Sequence, residues 1–387
     1  MKRKIFCTAL QTLLAVLCCA SAMADETVSA PTDAASTTAS TTTDAAASTT
    51  TITTTDAAAS TTTSTTTDAA ASTTTSTTTV TKTVESAALP GVSKNMEQVK
   101  EMAGHIGWIK ALNFAPDGQH AVSGSEDKTA RIWDLATGKE LFSLGGMNGN
   151  VGAVMFSPDG KFVVTGCDDF DVKQWDATTG TLMRTMSGHK NSVRAIAISA
   201  DGQRLLSGDF DGTLKLWDLK SGALTASSQL AASAVHALAF SPDGRTALAG
   251  LDDHSLRLID ATSLAPLAVL NGHTDAVLSV AYSPDGKQAA TGGADTRVIL
   301  WDLDAKAPTL KLMGHSDWVC RVAYTADGRN VMTGSLDKSA ERWSSSSGQM
   351  DCKYNGLTAG WAFAFSPDGA QLLSGSDSKN VILYRLP

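Results

Sequence analysis

Four times the chain sets a histidine, a hydroxyl, an aspartate and a tryptophan at one spacing. The sets are His105, Ser123, Asp127 and Trp133; His189, Ser207, Asp211 and Trp217; His273, Thr291, Asp295 and Trp301; and His315, Thr333, Asp337 and Trp343. Histidine, hydroxyl and carboxylate are the groups of nucleophilic catalysis, in which the imidazole takes the hydroxyl proton and the carboxylate orients the imidazole. A catalytic centre is needed once, however, and four copies argue against one. The same groups also make sense as structure. A buried indole N–H, imidazole and carboxylate each need a partner, and a closed row satisfies them all.

Other chemistries find little support. His120, His236 and His254 show no metal-ligand spacing, and the second acid of Asp168-Asp169 and of Asp252-Asp253 falls at the repeated turn position. There is no Cys-x-x-Cys-His haem motif, phosphate loop or nucleophile elbow. The sequence therefore predicts no metal, no cofactor and no enzyme.

The elements that carry these residues repeat. An Asp-Gly pair ends at Gly118, Gly160, Gly202, Gly244, Gly286, Gly328 and Gly369, and the aromatic recurs at Trp133, Trp175, Trp217, Trp301 and Trp343, with Ile259 and Tyr384 as substitutes. Each copy reads as four short strands: "WIKALNFAPDG" alternates and breaks at a turn, "QHAVSGSED" follows, then "TARIWDLATG" and "KELFSL". No stretch of helical period and useful length lies between them. Gly-His stands at Gly104-His105, Gly188-His189, Gly272-His273 and Gly314-His315, and Trp-Asp at Trp133, Trp175, Trp217 and Trp301.

With these motifs, residues 92–387 resemble the WD-repeat family. The resemblance implies an all-β, seven-bladed propeller of four-stranded antiparallel blades, and a hydrogen-bonded row of the histidine, hydroxyl, aspartate and tryptophan within a blade. The seventh copy stops after its third strand, at "NVILYRLP". The segment before the first Gly-His, about residues 95–103, is expected to supply the missing outer strand and so close the ring. Copy two has Gly146-Met147, and copy four has Leu230-Ala231, Ala249 and Ile259. Copy seven lacks the histidine and has Ser378 where the aspartate belongs. These copies should rely on apolar packing and be the softer ones.

Three tryptophans stand outside the Trp-Asp positions: Trp108, Trp318 and Trp361, all at the start of first strands. In the family that place, and the residue before the turn aspartate, face the top opening where partners dock. Copies six, seven and one are neighbours in a closed ring, so these indoles, with Lys110 and Leu336, should form one binding sector. Arg194 and Phe210 in copy three form a second candidate. The competing role for the indoles is to plug the central channel.

Targeting and composition set the remaining bounds. Lys2, Arg3 and Lys4, the apolar "LLAVLCCASAMA" and the small-x-small Ala22-Met23-Ala24 read as a signal peptide over residues 1–24. Its apolar core is shorter than the roughly 20 residues that span a bilayer. No later segment is apolar enough to cross one, and Leu17 or Cys18 ahead of a cysteine disfavours lipidation.

Residues 25–91 form a Thr/Ser/Ala-rich tract with Asp-Ala-Ala-Ala-Ser at Asp44, Asp56 and Asp68. The tract has too few large apolar side chains to offset the entropy of ordering, and reads as a disordered tether of roughly 45 Å end to end. The net charge of −8 becomes more negative once the signal is lost, which disfavours nucleic acid.

Three cysteines remain beyond the signal, Cys167, Cys320 and Cys352. Cys320 and Cys352 fall on the first and fourth strands of one copy, roughly 14 Å apart at about 4.8 Å per strand, so all three are expected to be unpaired. The sequence thus describes an exported, monomeric, non-enzymatic platform for protein partners, in the periplasm first and otherwise at the cell exterior. The alternatives are a small-ligand receptor or enzyme using the central funnel, and a surface adhesin with the Thr-rich tract as stalk.

Overall fold

The computed structural model describes residues 92–358, 360–375 and 379–387, with three short strands ahead of them, Thr62–Thr67, Thr73–Thr78 and Val84–Ala87. The expected signal peptide, most of the tract and Ser378 lie outside the described residues. No described helix is long and apolar enough to cross a membrane.

Seven antiparallel sheets follow one another along the chain, and each is read here as a blade. Blade one is Ile109–Phe114, His120–Ser125, Ala130–Asp134 and Lys139–Leu144. The others repeat it through blade six, which runs from Val319–Tyr324 to Met350–Asn355. Blade seven has three strands from the C-terminal end, Ala362–Phe365, Gln371–Gly375 and Val381–Arg385, and takes its fourth from Glu97–Met102. That strand pairs antiparallel with the last, Met102 opposite Val381 and Glu97 opposite Arg385. The two ends of the ring are therefore joined by main-chain hydrogen bonds.

The reason these residues make strands is local. The Asp-Gly turn between the first two strands needs a residue at positive φ, and Gly118 supplies it at 66°. The second strand ends in a small residue for a different reason. A Cβ on Gly124 would lie 2.8 Å from the side chain of Val151 in blade two, and one on Gly250 would lie 2.8 Å from Val277 in blade five. Glycine there lets each blade press its second strand against the first strand of the next.

The core accordingly consists of seven separate apolar clusters, one at each junction between blades. Met102, Ile109, Leu112, Ala362 and Leu383 share the cluster that joins blades seven and one, so the closing strand also contributes to packing.

The tract contributes two further features. Thr62–Thr67 and Thr73–Thr78 pair antiparallel. A lone two-stranded hairpin of this size is marginal in water. Val84–Ala87, placed by composition inside the tract, lies parallel to the outer strand of blade five, and Val92–Asn95 lies parallel to that of blade six.

Candidate functional site

In blade one the four repeated groups form a continuous row. The Trp133 indole donates to Ser123 Oγ at 2.8 Å, and that hydroxyl lies 2.7 Å from His105 Nε2. His105 Nδ1 is 2.7 Å from Asp127 Oδ2. Donors and acceptors alternate if the hydroxyl donates to Nε2 and the Nδ1–H donates to the carboxylate, which assigns the neutral tautomer. Burial pushes the His105 pKa down, against the hydrogen bond and charge of Asp127, which push it up. Blade five repeats the row with His273, Thr291, Asp295 and Trp301.

Two blades depart from the expected sets. In blade three His189 Nδ1 meets Asp209, 2.9 Å away, not Asp211; Asp211 accepts from the Asn191 amide instead. Asp209 stands where blade one has Ser125, at the buried end of the second strand. Its other oxygen also accepts the backbone N–H groups of Asp211 and Thr213. One carboxylate there performs what Ser125 and Asp127 share in blade one, where each caps a turn N–H.

In blade six His315 contacts Thr333 and Asp337, but the buried Trp343 indole has no acceptor. The fully buried Glu341 stands beside this break in the row. Its carboxylate lies 3.2 Å from His315 Nε2 and packs beside the Trp343 ring against Gly314, while Lys353 neutralises it at 2.7 Å. Blade two keeps part of the row, Trp175 donating to Thr165, and blade four replaces it with Ala249 and Ile259 in a purely apolar cluster.

None of these hydroxyls can serve as a nucleophile as placed. Ser123, Ser207, Thr291 and Thr333 are 0 % exposed. No cluster with metal-binding composition occurs among the described residues. Two shallow grooves, of about 240 and 170 Å³, lie between neighbouring blades at the Asp-Gly turns, lined by residues such as Phe162 and Asp201 and by Tyr324 and Phe365.

The residues proposed for partner binding sit at the opposite ends of the blades. In blades one to six the first strand carries a bulge, for example between Ile109 and Ala111, which leaves one residue unpaired. Lys110, Gly152, Arg194, His236, Leu278 and Cys320 occupy that place. Trp361 corresponds to it in blade seven, because Ala362 pairs with Gly375 as Ala111 pairs with Gly124.

The structure brings the expected sector together. Trp318 and Trp361 stand edge to face at 5.4 Å, and Lys110 Nζ lies 5.2 Å from the Trp108 ring and 6.0 Å from that of Trp361. Trp108 is 38 % exposed. The Leu336 backbone N–H donates to the Trp318 carbonyl, holding that leucine alongside. Arg194 and Phe210 do not join the sector; Arg194 pairs with Asp168 at 3.4 Å.

The sequence reading missed a division of this face. In blades one, three and four the bulged residue is a cation or histidine held by an acid: Lys110 by Glu126, Arg194 by Asp168, and His236 by Asp252, whereas blade two has Gly152 there. In blades five and six the same places hold Leu278, Ala294, Cys320 and Leu336. The signal was present at the position just after the residue that opens each first strand, Ile109 in blade one and a valine in blades two to six.

Comparison with known proteins agrees with this architecture. The "WD domain, G-beta repeat" family (WD40) matches residues 96–134, 138–176, 180–218, 225–260, 264–302, 306–344 and 354–385. Pleiotropic regulator 1 of Homo sapiens is 46 % identical over 43 residues, which is 11 % of this chain and 8 % of that protein. The small ribosomal subunit protein RACK1z of Arabidopsis thaliana is 44 % identical over 43 residues, 11 % of this chain and 13 % of that protein. Each match is about one repeat long, covers a small fraction of the relative, and comes from a eukaryote. Seven matched repeats, coinciding with seven blades closed into a ring, place the chain in the WD40 repeat family.

Proposed function

We propose that this protein is a non-catalytic interaction platform whose partner protein docks on the apolar sector of the bulge-bearing face. WD40 propellers typically bind protein partners. One observation carries the assignment to this face: Trp108, Trp318 and Trp361, from three different blades, come together, Lys110 lying over Trp108 and Trp361 and Trp318 packing on Trp361. Binding energy concentrates on such aromatic anchors, surrounded by contacts that exclude water.

The N-terminal pattern of three cations, a short apolar run and Ala22-Met23-Ala24 supports export, with the Thr-rich tract as a spacer and the periplasm as the compartment. The platform reading is tested by quantitative affinity capture with the intact chain, with Trp318→Ala/Trp361→Ala, and with Arg194→Ala. The tryptophan variant is expected to lose a defined partner by about tenfold or more, and Arg194→Ala to retain it. Retention of every captured protein by the folded tryptophan variant refutes the docking face.

A further inference from the structure

Blades five and six do not end at their fourth strands. Val84–Ala87 runs parallel to Ala307–Met313, with Val84 opposite Leu310. Val92–Asn95 runs parallel to Met350–Asn355, with Val92 opposite Cys352. Leu310 and Cys352 hold the same place in their blades, opposite Leu300 and Arg342. The chain therefore sets a valine against one repeat position twice, eight residues apart. On blade six the match is polar: Asn355 Nδ2 donates to Ser93 Oγ at 2.7 Å, and the Cys352 thiol to the Val92 carbonyl at 3.0 Å. A blade's outer edge in this protein thus accepts an extended parallel segment in a fixed register.

Among the described residues the outer strands of blades one to four carry no fifth strand. Blade four differs from the rest at the two positions flanking the equivalent residue, Ala268. It has Leu267 and Val269, 46 % and 47 % exposed, where blade five has Thr309 and Lys311 and blade six has Asp351 and Lys353. Several of those polar side chains turn back onto their own blade. The Thr309 hydroxyl donates to the Leu300 carbonyl, and Lys353 pairs with Glu341. Two aliphatic side chains cannot do this. They stand two residues apart on one face of an edge that carries no further strand among the described residues, an arrangement that templates strand addition.

We propose that the outer strand of blade four, Pro266–Asn271, is a second interaction surface. It takes as a fifth strand an extended, uncharged segment of a partner protein with aliphatic residues at alternate positions, added in parallel. Main-chain bonds provide the affinity in such a complex, and alternate side chains the selectivity. The edge itself contains no charged residue. The chain's own tract does not fit: between residues 25 and 91 no two Val, Ile or Leu residues stand two apart. That excludes the same tract of a second copy on the same chemistry.

The probe is a fluorescein-labelled, end-blocked peptide Thr-Val-Ser-Val-Ser-Val-Thr, with an all-Asp-for-Val control, titrated by anisotropy into the full chain. Saturable binding of the valine peptide alone is expected. It should weaken by about tenfold or more in Leu267→Thr/Val269→Lys, which copies the pair of blade five, and by less than about twofold in Leu141→Lys on blade one. Hydrogen exchange of residues 266–271 should be fast in the free chain and slow with peptide. Absent binding, or binding unaffected by the blade-four variant, overturns the proposal. Free-chain protection at 266–271 equal to that of 307–313 also overturns it, because the edge is then already covered by this chain or a second copy.

Discussion

At the scale of residues, the repeated polar groups pair with one another inside the blades. The complete rows of blades one and five settle a set of buried donors and acceptors that would otherwise destabilise the sheet. Which carboxylate closes the row was only partly legible. Counting from His189 by the spacing of the other copies lands on Asp211, and "DFDG" offers two aspartates. Residue spacing cannot see that Asp209 lies at the buried strand end while Asp211 is exposed. The consequence is measurable. Asp209→Ala should cost about 1–3 kcal/mol in urea melts, through loss of acceptors for His189 and two turn amides. Asp211→Ala should cost about 0.5 kcal/mol or less, as expected of a surface substitution. The reverse order would return the row to Asp211. Glu341 was invisible for a related reason: its place holds Arg131, Lys173, Lys215 and Arg257 in blades one to four, and nothing in a strand pattern announces a reversed charge.

At the scale of elements, the beat of turns and tryptophans was strong enough to number the strands, because every blade must meet the same two neighbours. The closing strand, Glu97–Met102, was readable because "EQVKEM" resembles the fourth strands it imitates. The parallel strands at Val84 and Val92 were not. Parallel pairing leaves no local signature, and four residues at the border of a low-complexity tract carry no period. Deleting Asn95–Met102 should remove the partner of Val381–Arg385 and uncover the cluster around Leu383 and Ile109. The truncated chain is expected to be largely insoluble or to melt well below the intact one. Equal solubility and melting would show that blade seven stands without its fourth strand.

At the scale of the whole molecule, the ring keeps its thiols apart. Cys167 belongs to blade two, whereas Cys320 and Cys352 lie on the first and fourth strands of blade six, and all three are free. Burial pushes the Cys167 and Cys320 thiols up to about 12, so the reactive thiolate is scarce at neutral pH. Mass spectrometry after alkylation in denaturant without reductant should count three modified cysteines on the chain lacking residues 1–24, and native alkylation at pH 8 should be slow. A count of one would require a disulfide that this strand order forbids. The joining of Glu97–Met102 to Val381–Arg385 has a further consequence, for the order of events in time. It is the contact of greatest sequence separation in the ring, and closing a loop of that length costs roughly 5 kcal/mol of chain entropy. The contact cannot form until Val381–Arg385 have left the ribosome. The earlier blades can assemble as they emerge, but the ring stays an open arc until Val381–Arg385 reach Glu97–Met102.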